Sequence, residues 1–95
     1  MTKLWIDDLR PAPEGWQQAY TSSQAIDWLE VHWNWITEIS FDHDLGGDDT
    51  SRKVILWMCE NDYPWPRICR VHSANPPGVE WLEGMIERYG PGVTH

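Results

Sequence analysis

The chain has 95 residues, enough for one small domain and too few for two. Fifteen acidic side chains stand against 7 basic ones, and the formal net charge of −8 excludes an extended grip on a nucleic-acid backbone. Eight tryptophans offer more apolar area than so small a core absorbs, so some are expected at a surface or an interface. The opening "MTKLWIDDLR" lacks the apolar stretch of a signal peptide, and no run reaches membrane-spanning length. Cys59 and Cys69 sit in apolar stretches without metal-like spacing. They read as reduced core thiols of a cytoplasmic protein rather than as a disulfide.

"KLWID" is a short apolar run that stops at an acidic pair, as a buried parallel strand does on leaving its sheet. "LRPAPEG" follows, and its prolines and glycine predict an extended loop. "WQQAY" alternates like an edge strand. Thr21 or Ser22 then caps a helix running to about Trp33, with Ala25, Ile26, Leu29 and Trp33 along one side. "WITEISFD" is the next strand, ending at Asp42. After the loop "HDLGGDDTS", Thr50 or Ser51 caps a second helix with Val54, Trp57 and Met58 inward, which stops before Pro64. "RICRVHS" is a fourth strand, and "ANPPG" turns into a last helix starting near Pro77. Its apolar stripe is Val79, Leu82, Ile86 and Tyr89, and Gly90-Pro91 ends it.

Strands alternating with helices predict an α/β domain spanning residues 1–95, with a mostly parallel sheet covered on both faces. Ligands of such sheets bind at the carboxyl ends of the strands, near a topological switch point. Asp7-Asp8, Asp42-His43-Asp44 and the group His72, Ser73 and Asn75 all fall at such ends. Three separate strands therefore deliver polar side chains to one rim.

An acidic pair after the first strand, an aspartate after the third and a hydroxyl residue after the fourth resemble the receiver domain of response regulators. More closely, "LWIDDLRPAPEGW", "EISFDHDLGG" and "VHSANPPG" resemble the cyclic-phosphate-processing receiver-like family over roughly residues 3 to 89. The resemblance implies a trimmed receiver/flavodoxin-like three-layer sandwich with about four parallel strands. It implies Asp7 and Asp8 as divalent-cation ligands, Asp42 at the position a signalling receiver phosphorylates, and Ser73 as the hydroxyl near a phosphoryl group. A signalling receiver also has a fifth strand ending in lysine, and no counterpart is found in this sequence. His43, Asp44, His72 and Asn75 point to the cyclic-phosphate branch instead.

The residue chemistry agrees with that branch. Crowded carboxylates repel one another, and Mg2+ or Mn2+ relieves the repulsion, so Asp7, Asp8, Asp42 and Asp44 form the expected metal set. The plainer reading is that the acidic pair caps a loop and Asp42 bonds local amides. Cleaving a cyclic phosphodiester needs a proton acceptor and a proton donor, which His43 and His72 can supply at neutral pH. Histidine buried against backbone is the plainer reading of His72. Arg10, Ser73 and Asn75 are the expected phosphate ligands. Gly46-Gly47 could cradle a phosphate or serve only the turn, and the spacing fails the EF-hand pattern. Arg67 and Arg70 read as solvated charges, His32 and His95 as surface residues, and Trp16 as packing on the sheet edge. Trp28, Trp33, Trp35 and Trp81 read as core or self-association contacts.

The function expected is metal-assisted hydrolysis of a cyclic phosphate, on a small cyclic nucleotide or an RNA end. The alternatives are a non-catalytic phosphate- or nucleotide-binding module and a protein-interaction domain. With no fifth strand, one sheet edge must be covered or paired, and a homodimer is one way to do so.

Overall fold

The computed structural model describes residues 1–95. Strands β1 (Thr2–Ile6), β2 (Gln17–Ala19), β3 (Ile36–Phe41) and β4 (Ile68–Val71) form one parallel sheet in the order β2-β1-β3-β4. Helices α1 (Ser22–Val31), α2 (Arg52–Glu60) and α3 (Pro76–Tyr89) follow β2, β3 and β4 respectively. The four parallel strands and three helices expected of a receiver-like α/β fold are all present.

The arrangement of layers follows from handedness. The steps from β2 to β3 and from β3 to β4 run towards the β4 edge, whereas the step from β1 to β2 runs the other way. Parallel crossovers are right-handed, so opposite steps place their connections on opposite faces. Register puts Leu4, Ile6, Ala19, Ile39, Phe41 and Cys69 on a single face. These residues join Ala25, Leu29, Val54, Ile55, Met58, Leu82 and Ile86 in one buried core, so α1, α2 and α3 all pack there. The helices expected on both faces are thus gathered on one. The physical reason is the β1–β2 connection, residues 7–16, which carries Pro11 and Pro13 and forms a loop where a helix would cover the second face.

That second face is closed by other means. The His72 ring stacks on Trp5 at 3.7 Å, and Trp16 meets Trp5 edge-on at 5.7 Å. Trp16 thus packs at the sheet edge, and Lys3 lies over its ring. Gln18 holds the proline loop, donating to the Asp7 and Arg10 carbonyls and accepting from the Ala12 amide. Arg70, expected to be solvated, instead donates to the buried Glu38 carboxylate at 2.8 Å. The two strands place these residues on neighbouring rungs of the same face, which no one-dimensional pattern reveals.

Capping chemistry starts α1 and α3, whereas Ser51, expected to cap α2, holds the N-cap position without a side-chain cap hydrogen bond. Thr21 caps α1 by accepting from the Gln24 amide. Asp49 reinforces that end, accepting from the Ser22 amide at 2.8 Å and the Ser22 hydroxyl at 2.6 Å. Two side-chain expectations differ. Trp33 lies beyond α1 and is 54% exposed, and Tyr89 at the end of α3 is 52% exposed. In α2 the fully buried residues are Val54, Ile55 and Met58, with Trp57 packed half-buried against them. The β4 edge is covered by the chain's own C-terminal residues: Val93 pairs with Cys69, and the Thr94 amide donates to the Cys69 carbonyl. Both cysteines are free thiols, and burial pushes Cys69 up to about 12. No helix is long and apolar enough to cross a membrane.

Candidate functional site

The sheet ladder runs one residue past each strand. The Asp7 amide donates to the Ala19 carbonyl, the Asp42 amide to Ile6 and the His72 amide to Phe41. Asp7, Asp42 and His72 therefore stand side by side at the switch point between β1 and β3, where α/β sheets bind ligands. Each follows a residue of the helix-covered face, so the two-residue period of a strand turns it towards the helix-free face.

A cavity of about 450 Å³ opens at this rim, lined by Asp7, Asp8, Arg10, Asp42, Asp44, Gly46, Ser73 and Asn75, together with Leu9 and Ala74. Every site residue expected from the sequence lines it except His43 and His72. Asp7, Asp8 and Asp42 each offer an oxygen, and the three oxygens lie within 4.8 Å of one another. Asp44 is outside that trio. Gly46, at φ +89°, lets the β3–α2 loop approach Asp8: a Cβ there would stand 3.1 Å from Oδ2.

The two histidines lie on opposite sides of the sheet. Asp7 as a carboxylate only accepts, so His72 Nε2 carries the proton and donates to Oδ2 at 3.0 Å. Its Nδ1 then accepts from the buried Ser40 hydroxyl at 2.7 Å. His43 has the opposite tautomer. Arg52 Nε only donates and sits 2.8 Å from His43 Nε2, so Nδ1 carries the proton and donates to Asp44 Oδ1 at 3.1 Å. His43 is buried against Gly78 of α3, where a Cβ would collide with the ring, and Arg52 lies over Trp81. All four imidazole nitrogens are thus engaged by protein groups, and the pair does not flank a common point. Sequence reasoning found neither Ser40 nor Arg52. Ser40 had a signal, since it interrupts the apolar residues Ile39 and Phe41 and shares the strand period with Asp42. Arg52 had none.

Electrostatics distinguish the carboxylates. Burial alone would raise Asp7, but the Leu9 and Arg10 amides and His72 outweigh it and hold Asp7 below its ordinary value. Burial and the charge of Asp7 push Asp42 up, against the Ser73 hydroxyl, the His43 amide and Arg10. Asn75 and His43 hold Asp44 down, with both of its oxygens accepting hydrogen bonds. Burial holds His72 below the usual imidazole range, opposed by Asp7 and assisted by Arg10.

The start of α3 supplies a dipole to the rim but no free donors. Pro76 and Pro77 have no N–H, and the Gly78 and Val79 amides are taken by Asn75. Donors available to an anion include Arg10, whose Nη1 also donates to the His72 carbonyl, Ser73, and the Ser73, Ala74 and Gly46 amides, which have no acceptor within the chain.

Residues 2–88 match the family described as the cyclic-phosphate processing receiver domain. The chain belongs to that family. No curated protein and no solved structure matches it. In this receiver domain the donor set fits a hard divalent cation. Three carboxylates converge, and burial together with the charge of Asp7 keeps Asp42 raised despite its local hydrogen bonds.

Proposed function

We propose that this receiver domain hydrolyses a cyclic phosphate on a small nucleotide or an RNA end, with Asp7, Asp8 and Asp42 holding Mg2+ or Mn2+. One observation supports this above the others: the three carboxylates share a cavity with Arg10 and Ser73, so candidate cation and phosphate ligands line one space. A bound cation would offset charge on the phosphate and acidify a water. Arg10, Ser73 and the Ser73 and Ala74 amides orient the phosphate oxygens. Asn75 and His43 together fix the Asp44 carboxylate in the cavity, where it accepts a proton from the attacking water. The water oxygen bonds to phosphorus, one ring P–O bond breaks, and solvent protonates the departing alkoxide in this open cavity. The product is a phosphomonoester. The −8 charge favours a compact or end-bound substrate over a long polyanion.

In this reading His43 and His72 act on carboxylates, in place of the paired proton carriers expected from sequence. A capture module is the second reading, favoured by the engagement of every imidazole nitrogen and the depressed Asp44. Phosphorus NMR of 2′,3′- and 3′,5′-cyclic nucleotides, with Mg2+ or Mn2+ and then with chelator, separates the two. Hydrolysis predicts a monoester signal only with metal, and Asp44→Asn should slow it by about a hundredfold. Intact substrates with one broadened ligand would instead mean capture.

A further inference from the structure

We propose that Ser40 is a positioning residue of the cation site, acting through His72 on Asp7. The proposal rests on the reading that Asp7, Asp8 and Asp42 hold a divalent cation. Ser40 is the penultimate residue of β3, beside Trp5 of β1 and Arg70 of β4, and is 1% exposed. No ligand in the cavity can reach it. A buried hydroxyl needs a partner, and the only side-chain hydrogen bond of Ser40 is the one to His72 Nδ1.

The geometry of that bond explains a fully buried serine on the helix-free face. The His72 ring is held flat against Trp5 on one side and is pinned at both nitrogens, by Ser40 below and Asp7 above. A hydroxyl proton on Nδ1 draws electron density from the ring and makes Nε2–H a stronger donor to Asp7 Oδ2. The Leu9 and Arg10 amides meanwhile occupy Oδ1. Asp7 is therefore oriented from both oxygens before any cation arrives. Partners of this kind, one bond behind a metal ligand, typically change metal affinity by about 10- to 100-fold when removed. Ser40 lies two bonds behind, so the lower end of that range is expected.

The test uses the full chain with Mn2+ alone, titrated by electron paramagnetic resonance. It is paired with nitrogen-15 NMR of the imidazoles, which reports which nitrogen of His72 carries the proton. Ser40→Ala should weaken Mn2+ binding by about tenfold while the fold is kept. Its His72 signals should move from a single Nε2–H form towards a mixture. Ser40→Cys, with a weak donor of similar shape, should fall between the two and guards against a packing defect in the alanine variant. Equal Mn2+ affinity in wild type and both variants would overturn the role of Ser40 and leave the cation site standing. Absence of Mn2+ binding in the wild-type chain would remove the cation reading and this proposal with it.

Discussion

One face of the sheet presents Leu4, Ile6, Ile39 and Phe41 to three helices, and the other presents Trp5, Glu38, Ser40 and Arg70 to a loop and to one another. The first holds its contents by apolar burial, which is non-directional and tolerant of detail. The second holds its contents by stacking, an ion pair and a relay of hydrogen bonds, each with one acceptable geometry. The relay leads straight to the rim, so the face without helices is the one that shapes the candidate site. Losing a helical layer exposes strand side chains to polar chemistry that a helix would have excluded.

The contrast can be broken at its strongest point first. Phe41→Ala, on the helix-covered face, should cost about 3–5 kcal/mol in urea denaturation, enough to unfold much of a domain this small. Next comes the clamp between the β3–α2 loop and α1. Burial alone would raise Asp49, but the Ser22 hydroxyl and amide and Lys53 outweigh it and hold the carboxyl below its ordinary value. A depressed folded-state value means stability that is present above the unfolded value, near about 3.9, and lost as pH falls through the folded one. Asp49→Asn should therefore cost about 1 kcal/mol at neutral pH, with the difference from wild type closing in acid, as followed by thermal melts across pH. The smallest effect is a gain. The Ser51 hydroxyl is fully buried with no partner, so Ser51→Ala should stabilise by up to about 1 kcal/mol in the same melts.

Much of this was legible in the sequence. Apolar runs ending in aspartate marked β1 and β3, and the strand-end rule put Asp7, Asp8, Asp42, Asp44, Ser73 and Asn75 at one rim, where they line one cavity. Caps at Thr21 and Asn75 and the prolines opening α3 are local signals that survive any tertiary context. What stayed hidden depends on which way a side chain turns at a strand end. His43 and His72 both follow strands, yet they leave the sheet on opposite sides because they lie at different phases of the two-residue period. Arg70 and Glu38 find each other across a strand boundary, and Arg52 reaches His43 from a different element. The single helical layer was recoverable in principle, because a proline-bearing first connection cannot supply a helix to the second face.

The most direct measurement is the anomalous signal from a crystal soaked in Mn2+. A peak among Asp7, Asp8 and Asp42 at the carboxyl ends of β1 and β3 is the predicted result, and it would fix the side of the rim to which a phosphate must come. A peak at His43 and Asp44, at Asp48 and Asp49, or nowhere on the chain, would contradict the account.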